Sequence, residues 1–91
     1  MSAASCRRVV VRGDVQAVGF RASCRSEARR AGVAGWVTNR PDGAVEALFE
    51  GPADPVTAML AWVRHGPPGA RVDDVTEAEE EPRGRSGFDV G

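Results

Sequence analysis

Hydrophobic and polar positions alternate between two periods along this chain. Arg7 to Arg12 is centred on Val9-Val10-Val11, a short apolar run that reads as a first strand. From Phe20 to Ala31 the apolar or small residues fall at Phe20, Cys24, Ala28 and Ala31, which is one face of a helix. Arg25, Glu27, Arg29 and Arg30 are left toward solvent, and Gly32 is a natural stop because glycine accepts the left-handed conformation. Val33 to Asn39, with Val33, Trp36 and Val37, reads as a second strand. Arg40-Pro41-Asp42-Gly43 is a hairpin turn, since Pro presets one dihedral and Gly tolerates positive φ. Ala44 to Glu50 returns as a third strand, in which Val45, Ala47 and Phe49 make a more apolar face than Glu46, Leu48 and Glu50. Gly51-Pro52 ends it.

Asp54 and Pro55 are expected to open a second helix, Asp as the N-cap and Pro in the first turn. Val56, Met59, Leu60 and Val63 follow the i, i+3, i+4, i+7 pattern, and Gly66-Pro67-Pro68-Gly69 closes the segment. Ala70 to Glu80 alternates around Val72 and Val75 and reads as a fourth strand. Pro82 to Gly87 is expected to be a flexible connection, and Phe88-Asp89-Val90 is a candidate short fifth strand. The order β-α-β-β-α-β predicts an α+β, ferredoxin-like sandwich: two interleaved β-α-β units, a four-stranded antiparallel sheet and both helices on one face. That fold hosts many activities, so function has to be argued from a site.

Length sharpens this picture. A chain of 91 residues is expected to form a single domain, residues 1–91, with one compact core. No apolar run approaches the ~20 residues that span a bilayer, and Met-Ser-Ala-Ala-Ser-Cys-Arg-Arg at the start lacks an apolar signal core, so a cytoplasmic protein without membrane attachment is expected. Cys6 and Cys24 have no metal-ligand spacing, and a single histidine cannot complete the usual four-ligand zinc set. Reduced thiols are expected, a disulfide being the alternative. No metal and no cofactor are expected.

Charge divides the chain in two. Residues 1–45 hold eight Arg against three acids, and residues 46–91 hold four Arg against ten acids, for a net −1. The basic half suits an anionic ligand. Within it lies Gly13-Asp14-Val15-Gln16-Ala17-Val18-Gly19-Phe20-Arg21, a loop between strand and helix that is poor in polar side chains and ends on one guanidinium. A helix N-terminus presents unpaired N–H groups with partial positive charge. A glycine-bearing loop before it allows successive N–H groups to converge on an anion, which the Arg21 fork then grips through two oxygens. Without further context, a glycine-containing turn with a solvated Arg21 explains the same residues.

Two motifs extend the reading. Gly13 to Arg21 resembles the acylphosphatase signature G-x-V-Q-G-V-x-F-R, and Gly35 to Glu46, G-W-V-T-N-R-P-D-G-A-V-E, resembles that family's second motif, G-x-V-x-N-x-x-D-G-x-V-E. The resemblance covers nearly the whole chain. It implies a ferredoxin-like fold and hydrolysis of the carboxyl–phosphate bond of small acyl phosphates without metal or cofactor. It also implies that Arg21 binds phosphate, that the backbone of Val15, Gln16, Ala17, Val18, Gly19 and Phe20 cradles it, and that Asn39 positions the attacking water. One residue departs from the signature: Ala17 stands at the family's central loop glycine, and if that position needs positive φ the methyl costs on the order of 1 kcal/mol.

The remaining residues read more plainly. Gln16 is a candidate loop brace, Trp36 and Trp62 are packing residues, and Glu77 to Glu81 is a solvated strand end. A non-catalytic phosphate-binding module on the same fold is the alternative function. RNA-recognition domains share the element order, but they place aromatics on an exposed sheet face, and this chain lacks that pattern. A monomer acting on a small acyl phosphate, with no nucleic-acid partner, is therefore expected.

Overall fold

The computed structural model describes residues 4–91; Met1 to Ala3, part of the expected 1–91 span, lie outside the described residues. The element order is β1 Ala4–Asp14, α1 Phe20–Ala31, β2 Ala34–Asn39, β3 Val45–Pro52, α2 Ala53–Val63, β4 Arg71–Glu79 and β5 Phe88–Val90. The sheet runs β4-β1-β3-β2-β5. The first four strands pair antiparallel, as the sequence predicts, whereas β5 joins β2 in parallel, Phe88 opposite Gly35 and Val90 opposite Val37. The candidate fifth strand thus forms, at the edge farthest from β4.

One core explains the layering. Val9 and Val11 of β1, Val37 of β2, Val45, Ala47 and Phe49 of β3, and Phe88 of β5 share it with the buried faces of both helices. Phe20, Cys24 and Ala28 carry the inner stripe of α1, and Val56, Met59 and Val63 that of α2. Phe49 stacks on Phe88 at 5.9 Å, and Phe20 meets Trp62 edge-on at 5.3 Å. Each aromatic contact adds to plain area burial. Both cysteines are free and buried, so the disulfide alternative falls. Burial pushes the Cys24 thiol up to about 12, which makes it an inert packing group. No helix is long and apolar enough to cross a membrane, among the described residues.

Three local expectations are corrected. Asp54 is not the N-cap: Pro52 holds that position, the helix begins at Ala53, and no side chain caps it. Pro55 is still tolerated because first-turn N–H groups have no intrahelical acceptor, and Asp54 faces the positive helix end from within that turn. The face of β3 expected to be polar is buried at Leu48 and Glu50. Finally, Pro82 to Gly87 is held in place. The chain must cross from β4 at one edge to β5 at the other, and Glu50 ties it down on the way. Its Oε1 accepts from the Arg83 N–H at 3.0 Å and its Oε2 from the Gly84 and Arg85 N–H groups at 2.7 and 3.0 Å. The Arg85 guanidinium adds a 2.7 Å ion pair. Glu50 is 4% exposed and is the one buried charged side chain among the described residues.

The donors on Glu50 have a pH consequence. The Arg83 N–H, opposed by burial and aided by the Arg85 side chain, holds its carboxyl at about 2 against an ordinary 4.5. A carboxylate with a depressed folded pKa contributes stability that is complete above its unfolded pKa and lost as pH falls toward the folded one. E50Q places an amide NH2 against backbone donors and removes the charge facing Arg85. We expect its thermal midpoint at neutral pH to fall by on the order of 10 °C. The gap from the native protein should narrow between pH 4.5 and 2, as the native carboxylate protonates. Thermal melts at several pH values check this, and parallel pH profiles for the two proteins refute it.

Candidate active site

Strand β1 delivers the loop. Its pairing with β4 slips by one residue between Arg12 and Gly13, a bulge that leaves Asp73 of β4 without a partner while the ladder continues to Asp14 opposite Arg71. Gly13 sits there at φ 136, and a Cβ at this position would lie 2.1 Å from the Arg71 carbonyl oxygen, so the close passage of β4 requires glycine. Val15 is fully buried and anchors the loop in the core. The Gln16 amide nitrogen donates to the Arg40 and Ala44 carbonyl oxygens at 2.8 and 3.0 Å, which braces the loop against the β2–β3 hairpin. That hairpin closes through the Arg40 N–H to Ala44 carbonyl bond at 2.8 Å. Asp42 accepts the Ala44 N–H at 3.1 Å, and this bond, with Arg40 beside it, holds its carboxyl at about 2.

Helix α1 then begins without a conventional cap. Gly19 occupies the N-cap in the left-handed region at φ 75, no side chain caps the helix, and the first turn holds no acid. The first backbone bond is from the Ser23 N–H to the Gly19 carbonyl. Among the described residues, the N–H groups of Gln16 to Gly19 donate to no other residue. Unpaired loop and first-turn amides are thus concentrated at one spot.

Beside them lies a cavity of about 240 Å³ lined by Val15, Ala17 and Gly19 of the loop, by α1, and by Asn39 and Val90. Arg21 reaches it from the first turn of α1. Its Nη1 donates to the Gly91 carbonyl oxygen at 2.6 Å, and the Gly91 N–H in turn donates to the Val37 carbonyl at 2.8 Å. This contact fixes the guanidinium beside the end of β5 and uses one of its five donors. Asn39, the last residue of β2, contributes a buried Oδ1 that has no hydrogen-bond partner. A buried amide oxygen left unpaired costs on the order of 1–3 kcal/mol, which marks this one as a group in need of a donor.

The expected site residues are therefore largely brought together: Val15, Ala17, Gly19, Phe20, Arg21 and Asn39 all line the cavity. Gln16 and Val18 do not. The Gln16 side chain goes to the hairpin, and Val18 packs against the core. Three lining residues were not anticipated: Ala22, Arg25 and Val90. Arg25 lies one helical turn beyond Arg21, a spacing that the solvent-facing reading passed over, and Val90 arrives only because β5 docks beside β2. No cluster of potential metal ligands occurs among the described residues.

Ala17 takes φ 60, the one positive φ outside glycine among the described residues. A left-handed alanine costs roughly 1–2 kcal/mol, part of which glycine would return as unfolded-chain entropy. We expect A17G to stabilise the fold by about 1 kcal/mol, read by denaturant unfolding. A destabilised A17G would mean that the loop gains more from chain restriction than it loses to strain.

Fold and cavity together define a ferredoxin-like protein with an amide- and arginine-lined pocket at the end of its first strand. Residues 7–90 match the Acylphosphatase family model. The chain is 50% identical to an acylphosphatase of Gloeobacter violaceus over 99% of its own length and 97% of that protein's. The crystal structure of acylphosphatase from Bacillus subtilis superposes with a TM-score of 0.92 at 38% identity, covering 96% of this chain and 98% of that one. An acylphosphatase from Coxiella burnetii gives 0.92 at 36% identity, covering 97% and 93%. This chain belongs to the acylphosphatase family.

Proposed function

We propose that the protein hydrolyses small acyl phosphates in this cavity, with Arg21 and the amides of Val15 to Phe20 holding the phosphoryl group and Asn39 aiming the attacking water. The observation that carries the reading is that Asn39, whose buried Oδ1 has no partner, lines the same cavity as Arg21 and the uncapped start of α1.

The chemistry needs little more. An acyl phosphate is already activated by its carboxylate leaving group, so positioning and charge stabilisation suffice. Water donates a hydrogen bond to Asn39 Oδ1, which leaves an oxygen lone pair directed at phosphorus. As the new P–O bond forms, the bond to the acyl oxygen breaks in line and the carboxylate departs with the electron pair. The cavity lining contains no histidine and no carboxylate, so the proton of the water passes to an oxygen of the substrate itself. Charge developing on the equatorial oxygens meets Arg21 and amides that are already oriented, the arrangement that lowers barriers most.

The test is hydrolysis of benzoyl phosphate in the presence of chelator, with inorganic phosphate as competitor. Turnover with competitive inhibition by phosphate is expected. Phosphate binding without turnover would leave only the binding module that the sequence allows. Ala17 bears on the same assay, because its methyl lines the cavity. Phosphate affinity in A17G is expected to stay within tenfold of native, and a larger gain would mean that the methyl obstructs the anion. The reading also has the protein working as a cytoplasmic monomer with no nucleic-acid partner. Sedimentation of the active protein and a titration with single-stranded RNA check the last two points.

A further inference from the structure

Most arginines of the chain face carboxylates: Arg8 pairs with Glu80 at 2.9 Å, Arg64 with Glu77 at 2.8 Å and Arg71 with Asp14 at 3.0 Å, for example. Among the described residues the exposed Arg25 has neither an ion pair nor a side-chain hydrogen bond. It lines the same cavity as Arg21. The two stand four residues apart on α1, so their Cβ atoms are about 6 Å apart on one helix face. Arg21 lies next to the loop amides, and Arg25 lies one turn farther from them. Val90, the one large hydrophobic side chain that is exposed among the described residues, also lines the cavity. Strand alternation turns the neighbouring Asp89 to the other face, away from Arg25. Besides a place for a phosphoryl group, the cavity therefore offers an apolar side chain, Val90, and a second, uncompensated cation, Arg25.

We infer that Arg25 is a specificity-determining residue that favours acyl phosphates whose acyl group ends in a second anion, the connecting hydrocarbon lying against Val90. A four-carbon dicarboxylic acid phosphorylated on one carboxyl is the simplest member of the class. The inference rests on the phosphatase reading above and names the substrate class for that same site. Arg25 touches the far end of the acyl group and takes no part in bond making or breaking.

Succinyl phosphate and butyryl phosphate make the test, since they differ in having a carboxylate or a methyl at the distal end. The readout is the ratio of their kcat/KM values in native protein, R25Q, R25K and R25E. The native ratio is expected to favour succinyl phosphate and to decline with added salt, because an exposed pair is screened. R25Q should lower the ratio about fivefold, the scale of an exposed, bidentate arginine–carboxylate pair. R25K should retain part of the preference, and R25E should lower the ratio below that of R25Q. If R25Q changes both substrates equally, Arg25 serves the phosphoryl group or the fold, and the inference is overturned while the phosphatase reading stands. A ratio altered less than twofold by all three variants also overturns it. If the native protein hydrolyses neither compound, the phosphatase reading fails and takes this inference with it.

Discussion

Replacing Arg21 with alanine is expected to lower kcat/KM for benzoyl phosphate by about 10²–10³-fold, roughly 3–4 kcal/mol of transition-state stabilisation. The size follows from how little else in the cavity carries charge. The loop amides supply partial charges; of the two cations that line the cavity among the described residues, Arg21 follows the loop directly and Arg25 lies a turn farther along α1. Its 2.6 Å bond to the Gly91 carbonyl holds the guanidinium in place before any anion arrives, so little side-chain freedom remains to be lost on binding. Lysine should recover only part of the loss, because an ammonium cannot present two parallel donors to two oxygens. Inhibition by inorganic phosphate should weaken alongside the rate, since the group serves ground state and transition state alike. Stability should change little: Arg21 is half-exposed, pairs with no Asp or Glu among the described residues, and leaves behind an oxygen of the exposed Gly91. Steady-state kinetics together with a thermal melt separate the two effects. Native rates in R21A would remove the assignment, and a matching collapse in stability would reassign the residue to the fold.

The sequence carries the frame of this molecule because its frame depends on local periodicity. The stripe Phe20, Cys24, Ala28 fixes α1 at Phe20–Ala31 in both readings, and the Arg40–Gly43 turn lies where Pro and Gly put it. That Arg21 and Asn39 come together is legible through the two motifs, and the topology accounts for it: the ends of β1 and β2 lie at one end of the sheet, flanking β3. What escapes a linear reading is set by contacts far apart in sequence. Glu50 looks like one of several outward acids of β3, and only the crossing of the chain from β4 to β5 gives it Arg83, Gly84 and Arg85 as donors. The same crossing turns an expected flexible connection into a fixed strap. Glu77 and Glu80, read as a solvated strand end, meet Arg64 and Arg8. The role of β5 is hidden likewise, because three residues show no usable period, yet Val90 walls the cavity and Gly91 holds Arg21. Ala17 is the reverse case: the departure from the glycine of the signature is visible in the sequence, and the structure supplies its φ of 60.

Asn39 should separate cleanly from Arg21 in its effects. N39A is expected to lower kcat by on the order of 10²-fold, the value of holding a reactant in attacking geometry by one oriented hydrogen bond. Phosphate inhibition should remain within about twofold of native if, as proposed, the amide aims water and does not grip the anion. R21A should lose both, so the pair of variants distinguishes binding from positioning without a structure of either. Stability offers a second signature. The native Asn39 Oδ1 is buried without a partner, so removing it relieves an unsatisfied acceptor, and N39A should unfold at the native denaturant concentration or slightly above. Loss of activity with unchanged or raised stability is what a site residue gives and a packing residue does not. Aspartate is the sharper probe. N39D keeps the shape and the Oδ1 acceptor but replaces the amide NH2 with negative charge beside a phosphoryl group. It should therefore be at least as impaired as N39A at neutral pH, and should recover in part as acid protonates the carboxyl. A pH–rate profile for N39D that is flat, or that rises toward alkaline pH, would show that charge at this position is irrelevant, and Asn39 would then have no place beside the phosphoryl group.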